Sequence, residues 1–237
     1  DYPKPIGLIN FLLMISEKDS CILDFFSGSS STSHAVMQLN VEDNGSRKYI
    51  NVQLPDPTEE KSEAFKAGYK TIAEIGKERI RRAGKTIAEE HPEKVKDLDL
   101  GFKVFKLDSS NIKTWSPNTD NLEQELFDAV ENIKNDRTEN DLLFEILLKY
   151  GLDLTAPITE HTIENAKVYS VGLGALIVCL SDKITVAVAE GIAKLKEELQ
   201  PETCRVVFKD NGFADSAEKT NVMQKLKQHQ IEEVRSI

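Results

Sequence analysis

The chain has 237 residues, of which 40% are hydrophobic and 30% are charged, a composition typical of a folded globular protein rather than a disordered or membrane-embedded one. Its formal net charge of −10 at pH 7 argues against a free-standing binder of duplex DNA, which would normally present a basic surface. The absence of an initiator Met and of a signal-peptide pattern at Asp1 leads us to expect a piece of a longer protein.

The first 54 residues predict helix, strand, helix and strand, the order found in α/β folds. Pro5 precedes the first helix and favours its first turn. Turn residues after the second helix separate it from the second strand, and Pro55 ends that strand. The predicted elements are a helix over Ile6–Ile15, a strand over Ser20–Phe26, a helix over Ser31–Asn40 and a strand over Tyr49–Leu54.

The middle of the chain predicts a helical region, a polar linker and a less regular connection. We expect helix from Thr58 to about Ala83, a loop over residues 84–100 and a strand over the alternating run Phe102–Leu107. An irregular segment containing Trp115 then leads to two helices, predicted over Leu122–Lys134 and Asn140–Tyr150.

A second α/β unit is predicted from Thr155 onward. It begins with two strands around Gly172-Leu173-Gly174, a spacing typical of a hairpin. These considerations divide the chain into an N-terminal α/β part (1–83), a connection (84–139) and a C-terminal α/β part (140–237). The predicted elements of this last part are strands Val168–Val171 and Ala175–Leu180, helix Ile184–Leu199, strand Arg205–Phe208, helix Asp215–Gln230 and strand Val234–Ile237.

The most informative segment is the passage from the first strand into the second helix. Asp24 emerges at the carboxyl end of the strand, where open α/β sheets place their ligands. Small residues Ser27–Ser29 let main-chain groups approach a ligand, and the hydroxyls of Ser30–Thr32 are expected to cap the next helix. An acid at position 24 would repel a pyrophosphate but suits a cationic amine, which favours S-adenosylmethionine over a dinucleotide; the G-x-G-x-x-G fingerprint is also absent.

This segment resembles motif I of amino-methyltransferases that act on DNA, and Lys4-Pro5 with Leu8 resembles their motif X. Further stretches narrow the resemblance to the C-terminal half of the modification subunit of type III restriction-modification systems, a DNA adenine methyltransferase. They are Arg47–Pro55, Lys77–Arg82, Gly101–Leu107, Leu148–Thr155 and Val234–Ile237, so the resemblance covers nearly the whole chain. It implies a partial Rossmann-like methyltransferase sheet, of which residues 1–83 would form the cofactor-binding half, followed by a second, smaller α/β domain, with residues 140–237 as an assembly domain.

The resemblance also implies site residues. Asp24 would face the methionyl amino group of S-adenosylmethionine, Lys4 its carboxylate, and Gln53 the ribose hydroxyls. The motif I loop would line the pocket. The complete candidate set is Lys4, Asp24, Phe25, Phe26, Ser27, Gly28, Ser29, Ser30 and Gln53.

The sequence departs from the family pattern at two places. Ser30 stands where motif I has its second glycine, so a positive φ there would strain the backbone. The catalytic D-P-P-Y motif is absent, because Asp56-Pro57 is followed by Thr58-Glu59. In the family that motif holds the extruded adenine, so we expect this chain to transfer no methyl group by itself.

By this resemblance, the intact protein would methylate adenine N6 at a specific double-stranded DNA sequence in the bacterial cytoplasm. Its partners would be the restriction (helicase-nuclease) subunit and a second modification subunit, and no membrane would be involved. The alternatives are a non-enzymatic interaction or scaffold domain with a methyltransferase-like fold, and a methyltransferase-like fold that acts on a different substrate.

Other features favour simpler interpretations. The three cysteines, Cys21, Cys179 and Cys204, lie in or beside apolar runs, which predicts buried, reduced thiols. The basic cluster Lys77–Lys85 is expected to be a solvated helix face rather than a DNA contact, and His34 has no Cys or His at metal-binding spacing.

Overall fold

The computed structural model describes residues 3–113 and 132–237, and the chain divides into two compact units, Asp1–Val104 and Phe105–Ile237. Each unit combines helices with strands, which confirms the predicted α/β class. The second unit is the longer of the two. In the described part of the chain, no helix is both long enough and apolar enough to span a membrane.

The first unit follows the predicted order of helix, strand, helix and strand, and then adds two helices. Its elements are α1 (Ile6–Leu13), β1 (Cys21–Asp24), α2 (Ser31–Asp43), β2 (Lys48–Asn51), α3 (Glu63–Lys66) and α4 (Ile72–Glu90). Strands β1 and β2 are parallel neighbours, with Leu23 opposite Ile50. Helix α2 connects the two strands and packs against both α1 and α4.

Helix α4 starts at a capping box and extends beyond its predicted end. The side chain of Thr71 accepts a hydrogen bond from the backbone N–H of Glu74, and the Glu74 carboxylate accepts one from the Thr71 N–H, each at 3.3 Å. The loop predicted from residue 84 is wrong, because the chain stays helical to Glu90. Ile87 continues the buried stripe that packs α4 against Met37 of α2.

The strand predicted over Phe102–Leu107 is also wrong, since this stretch belongs to no sheet in the described structure. Phe102 instead packs against the α2–α4 core, and the Arg81 guanidinium lies 5.5 Å from the centroid of its ring. The Tyr49 hydroxyl donates a hydrogen bond of 3.3 Å to the carbonyl of Gly101. Side-chain packing therefore positions this segment, although its alternating pattern resembles that of a strand.

One face of the β1–β2 pair and one face of α1 expose large apolar side chains. Ile9 and Leu13 bury the inner face of α1 against α2, while the outer faces are uncovered. Parallel sheets are normally covered on both faces, so this arrangement is unusual for a finished α/β layer. The residues of this apolar surface are Leu8, Phe11, Leu12, Met14, Ile15, Leu23, Phe25, Ile50, Val52 and Leu54.

The second unit is built around a five-stranded mixed sheet. Its elements are α5 (Glu139–Lys149), β3 (Ile158–Ile163), β4 (Ala166–Val171), β5 (Leu176–Cys179), α6 (Val186–Leu199), β6 (Arg205–Phe208), α7 (Ser216–Gln228) and β7 (Glu233–Ser236). The strands lie in chain order, with β3, β4 and β5 antiparallel and β5, β6 and β7 parallel. Helices α6 and α7 form the crossovers between the parallel strands.

Two apolar cores cover the two faces of this sheet. Val168 and Ile177 face the core formed with α6 and α7, and their neighbours Tyr169 and Val178 face the core formed with α5. Because adjacent strand residues point to opposite faces, the unit has three layers, helix, sheet and helix.

Most predictions for the second unit are confirmed, including the hairpin, whose turn residues Gly172, Leu173 and Gly174 all have positive φ. Strand β3 is an element that the sequence pattern does not predict. Trp115 and the greater part of the helix predicted over Leu122–Lys134 lie outside the described residues. Residues 132–134 are not helical, and Ile133 forms an isolated bridge with Ile112.

The cysteines differ in exposure. Cys179 is buried and Cys204 half-buried, but Cys21 is exposed, so the prediction of burial is wrong for Cys21. Cys21 lies on the same uncovered outer face of β1 as Leu23, which explains the difference.

Candidate cofactor-binding site

Residues 25–30, here called the β1–α2 loop, form a tight turn that contains two left-handed residues. Gly28 has a φ of 53°, and Ser30 has a φ of 58° and a ψ of 39°. The Ser30 N–H donates to the Ser27 carbonyl at 2.8 Å, which closes the turn. The serine in the second glycine position of motif I therefore does adopt a positive φ, a conformation that costs an L-residue roughly 1–2 kcal/mol.

Asp24 holds the two ends of this loop together. One carboxylate oxygen accepts a hydrogen bond from the Thr32 hydroxyl at 2.5 Å, and the other accepts one from the backbone N–H of Phe26 at 3.3 Å. The Ser30 side chain forms no capping hydrogen bond to α2. The expected capping role of the hydroxyls is therefore wrong for Ser30 and Thr32, because Thr32 binds a side chain instead.

Gln53 lies just after β2 and contacts the loop directly. Its side-chain oxygen accepts a hydrogen bond of 2.7 Å from the backbone N–H of Gly28, and its nitrogen donates to the carbonyl of Leu54 at 3.1 Å. Since β1 and β2 are parallel, their carboxyl ends lie at one edge of the sheet, which brings Gln53 to the loop.

Helix α4 contacts the loop from a second direction. Nη1 of Arg79 donates to the hydroxyls of Ser29 and Ser31 at 2.8 and 2.6 Å. Gly76 lies one turn before Arg79, and a Cβ added there would come within 2.5 Å of Ser30 Oγ and 3.2 Å of the Gly28 carbonyl oxygen. The absence of a side chain at position 76 therefore permits the close approach of α4 to the loop.

His34, one turn into α2, is partly buried beside Arg79. Burial and, to a smaller extent, the positive charge of Arg79 lower the pKa of His34, which favours the neutral imidazole. Its Nδ1 is buried without a hydrogen-bond partner among the described residues. His34 and Arg79 both line a cavity of about 360 Å³ between the two helices.

The open side of the loop leaves its backbone accessible. A Cβ at Gly28 would meet no atom within 4 Å, so the backbone there faces open space. Phe25 and Phe26 are exposed, whereas Ser27 and Ser30 are buried beneath the turn. The loop thus presents main-chain groups and two aromatic rings to its surroundings, with a carboxylate at its base.

The structure brings together all but one of the predicted site residues. Asp24, the loop and Gln53 form one hydrogen-bonded group. Lys4 is exposed just before α1, and no hydrogen bond or ion pair links it to this group in the described part of the chain. Its assignment to a ligand carboxylate remains a prediction.

Sequence reasoning missed Arg79 and Gly76. Arg79 belongs to the basic cluster that the sequence pattern assigns to a solvated face, yet it turns inward to the loop. Its neighbours Arg81 and Arg82 do pair with Glu78, as that interpretation implies. A glycine inside an amphipathic helix was the available signal, because Gly is unfavourable there unless another chain segment approaches closely.

Comparison with known proteins supplies relatives for part of the chain. The StyLTI Mod subunit, a type III restriction-modification enzyme of Salmonella typhimurium, is 42% identical over 107 residues, which are 45% of this chain and 16% of the relative. The EcoP15I Mod subunit of Escherichia coli is 41% identical over 105 residues, 44% of this chain and 15% of the relative. The type II methyltransferase M.KpnI of Klebsiella pneumoniae is 38% identical over 76 residues, 32% of this chain and 18% of the relative.

No protein-family model matches the chain. The matched region corresponds to less than a fifth of the length of each of these relatives. Identities of about 40% over a hundred residues nevertheless indicate common ancestry. The chain is therefore a homologue of part of the Mod subunits of type III restriction-modification enzymes.

Proposed function

We propose that this chain supplies the S-adenosylmethionine-binding part of a DNA adenine-N6 methyltransferase, the Mod subunit of a type III restriction-modification system. The observation that carries the proposal is the β1–α2 loop. Asp24 at its base, Gly28 at its open side and Gln53 from the neighbouring strand form one hydrogen-bonded group at the carboxyl edge of a parallel strand pair. This is the position at which α/β sheets bind nucleoside ligands.

The residues present fit S-adenosylmethionine. The Asp24 carboxylate offers a negative charge for the methionyl ammonium group, and the open backbone at Gly28 leaves room for the ligand. Gln53 offers a neutral amide to the ribose, and Lys4 would pair with the carboxylate. When bound, the cofactor supplies an electrophilic methyl group. The chain contains no D-P-P-Y motif, so the residues that hold the target adenine would come from another part of the intact protein.

The second unit would serve assembly. It has a complete three-layer core, and the described residues contain no cluster of three or more His, Cys, Asp or Glu side chains that could hold a metal ion. We assign to it contacts with the restriction subunit or a second Mod subunit in the bacterial cytoplasm. Because the net charge of this chain is −10, we expect most of the DNA phosphate contacts of the intact protein to lie outside it.

A non-enzymatic scaffold is the competing function, and the missing D-P-P-Y motif favours it. The two functions differ in one property, the binding of S-adenosylmethionine. A scaffold has no use for the cofactor, whereas a methyltransferase fragment with a preformed loop retains affinity for it.

Isothermal titration of the 237-residue chain with S-adenosylmethionine and S-adenosylhomocysteine tests the proposal. We expect the wild type to bind both and the Asp24→Asn variant to bind at least about tenfold more weakly, since the ligand ammonium group loses its negatively charged acceptor. Asp24→Asn retains one acceptor oxygen, which can keep the hydrogen bond from Thr32, whereas its amide nitrogen cannot accept the one from the Phe26 N–H. Asp19→Ala, at an exposed position before β1, is the matched control and should bind like the wild type. A wild-type chain that binds neither ligand would contradict the proposal and favour the scaffold function.

A further inference from the structure

Arg79 differs from the other arginines of α4 in what it binds. Arg81 and Arg82 lie on the exposed side of the helix and pair with the Glu78 carboxylate, Arg82 at 2.7 Å and Arg81 at 3.8 Å. Arg79 is half-buried. Among the described residues of the first unit, its guanidinium donates to two serine hydroxyls and forms no ion pair with a carboxylate. A partly desolvated cation that stabilises only neutral groups is a costly arrangement, so its contacts call for a specific role.

The two hydroxyls that Arg79 binds flank the strained residue of the loop. Ser29 precedes Ser30 and Ser31 follows it, and a single atom, Nη1, reaches both of them at 2.8 and 2.6 Å. Ser30 is buried in the left-handed conformation. The guanidinium therefore links the two sides of a residue that is held in a strained backbone conformation.

The approach of α4 makes this link possible. Gly76 allows the helix to lie against Ser30 Oγ, and Arg79 follows on the next turn of the same face. The contact spans 48 to 50 residues of sequence, so it fixes the loop relative to an independent helix rather than within its own strand–helix connection.

We infer that Arg79 is a positioning residue for the cofactor loop. Its guanidinium holds Ser29 and Ser31 so that the backbone around Gly28 already has the conformation that the ligand requires. A loop ordered before binding loses less conformational freedom when the ligand arrives, which raises affinity without any direct contact. This inference rests on the proposed function insofar as the ligand is S-adenosylmethionine.

The test compares Arg79→Ala, Arg79→Lys and Arg82→Ala in the full chain by two readouts. Hydrogen–deuterium exchange of residues 27–32 reports loop order, and titration with S-adenosylhomocysteine reports affinity. In Arg79→Ala we expect faster exchange in this segment and at least about tenfold weaker binding. Arg79→Lys keeps a cationic donor, so it should recover part of the slow exchange and part of the affinity. Arg82→Ala should match the wild type in both readouts. Thermal unfolding of each variant shows that the fold is retained.

A double-mutant cycle separates positioning from general stability. Ser29→Ala and Ser31→Ala together remove the acceptors, so adding Arg79→Ala to this variant should weaken binding far less than it does in the wild type. Equal effects in both backgrounds would overturn the inference, as would unchanged exchange in Arg79→Ala.

The two readouts distinguish failure of the inference from failure of the proposed function. If the wild type binds neither S-adenosylmethionine nor S-adenosylhomocysteine, the proposed function fails, and the exchange data alone decide whether Arg79 orders the loop. If the wild type binds and Arg79→Ala binds equally well, the inference fails while the proposed function stands.

Discussion

Gly76 of α4 lies so close to Ser30 of the β1–α2 loop that a Cβ at position 76 would come within 2.5 Å of the Ser30 hydroxyl oxygen. The two residues depend on each other. Gly76 is unfavourable in a helix interior but leaves room for the serine, and Ser30 keeps its strained conformation in the space that Gly76 provides.

The Gly76→Ala variant should therefore be less stable than the wild type, although alanine favours helix. Overpacking against Ser30 costs roughly 1–3 kcal/mol and the gain in helix propensity is about 1 kcal/mol, so we expect a net loss of about 1 kcal/mol in the free energy of unfolding. Urea denaturation followed by circular dichroism measures the change.

Two comparisons make this prediction specific. In a Ser30→Gly background the clashing hydroxyl is absent, so the same substitution should be neutral or stabilising. Gly7→Ala in α1, where an added Cβ would meet nothing within 4 Å, should not destabilise the protein. A Gly76→Ala penalty that is the same with Ser30 and with Gly at position 30 would contradict the steric explanation.

Arg47 and Asp43 form a bidentate ion pair that should make stability depend on pH. The Arg47 side chain is 2% exposed, and its two terminal nitrogens donate to the two Asp43 oxygens at 3.1 and 3.0 Å. The hydrogen bond from Arg47 lowers the pKa of Asp43 in the folded state. A lowered pKa contributes stability above the unfolded-state pKa, and this stability is lost as the pH falls through the folded-state value.

We expect the Asp43→Asn variant to be about 2 kcal/mol less stable than the wild type at pH 7, because the buried Arg47 guanidinium loses its charged partner. The difference from the wild type should shrink below about pH 4, as the wild-type carboxylate becomes protonated. Urea denaturation of both proteins from pH 7 to below about pH 4 measures this difference in the free energy of unfolding. The control is Glu63→Gln, which removes an exposed pair with Lys66 and should change stability by less than about 0.5 kcal/mol.

The three thiols should react with a disulfide reagent at different rates. Cys21 is exposed, whereas burial raises the pKa of Cys179 and raises that of Cys204 to about 11, which leaves little thiolate at either site. At pH 8 we expect one thiol per chain to react rapidly with dithionitrobenzoate, and Cys21→Ser should abolish that phase. Rapid reaction of two or more thiols in the native protein would show that the second unit opens readily.

The apolar surface of the first unit should drive self-association of the isolated chain. Phe11 projects from the outer face of α1 and is 69% exposed. The Phe11→Glu variant should therefore self-associate less and bind less of a dye that reports exposed apolar surface, without loss of stability. Sedimentation velocity and anilinonaphthalenesulfonate fluorescence measure the two effects. Leu13→Glu, on the buried face of the same helix, is the matched contrast and should unfold the unit. Undiminished association in Phe11→Glu would point to another surface.

The sequence alone determined the local order of the chain. The apolar strand before Asp24, the small residues after it and the hairpin glycines at 172 and 174 specify their elements through short-range geometry, and the structure confirms all three. Motif I also pointed to the type III Mod subunits, and three of these are 39–42% identical to part of the chain. These features are readable because each depends on a few adjacent residues.

Only the tertiary structure decided which side chains complete the site and which strands and thiols are covered. Nothing adjacent in sequence shows that Arg79 reaches Ser29, since the contact joins residues 50 apart. The polar edge strand β3 lacks the apolar run of a central strand, and the Phe102–Leu107 run has the alternation of a strand without a place in a sheet. Exposure of Cys21 likewise depends on what covers β1. Pairing, burial and long-range hydrogen bonds are set by packing between distant segments, which local periodicity does not encode.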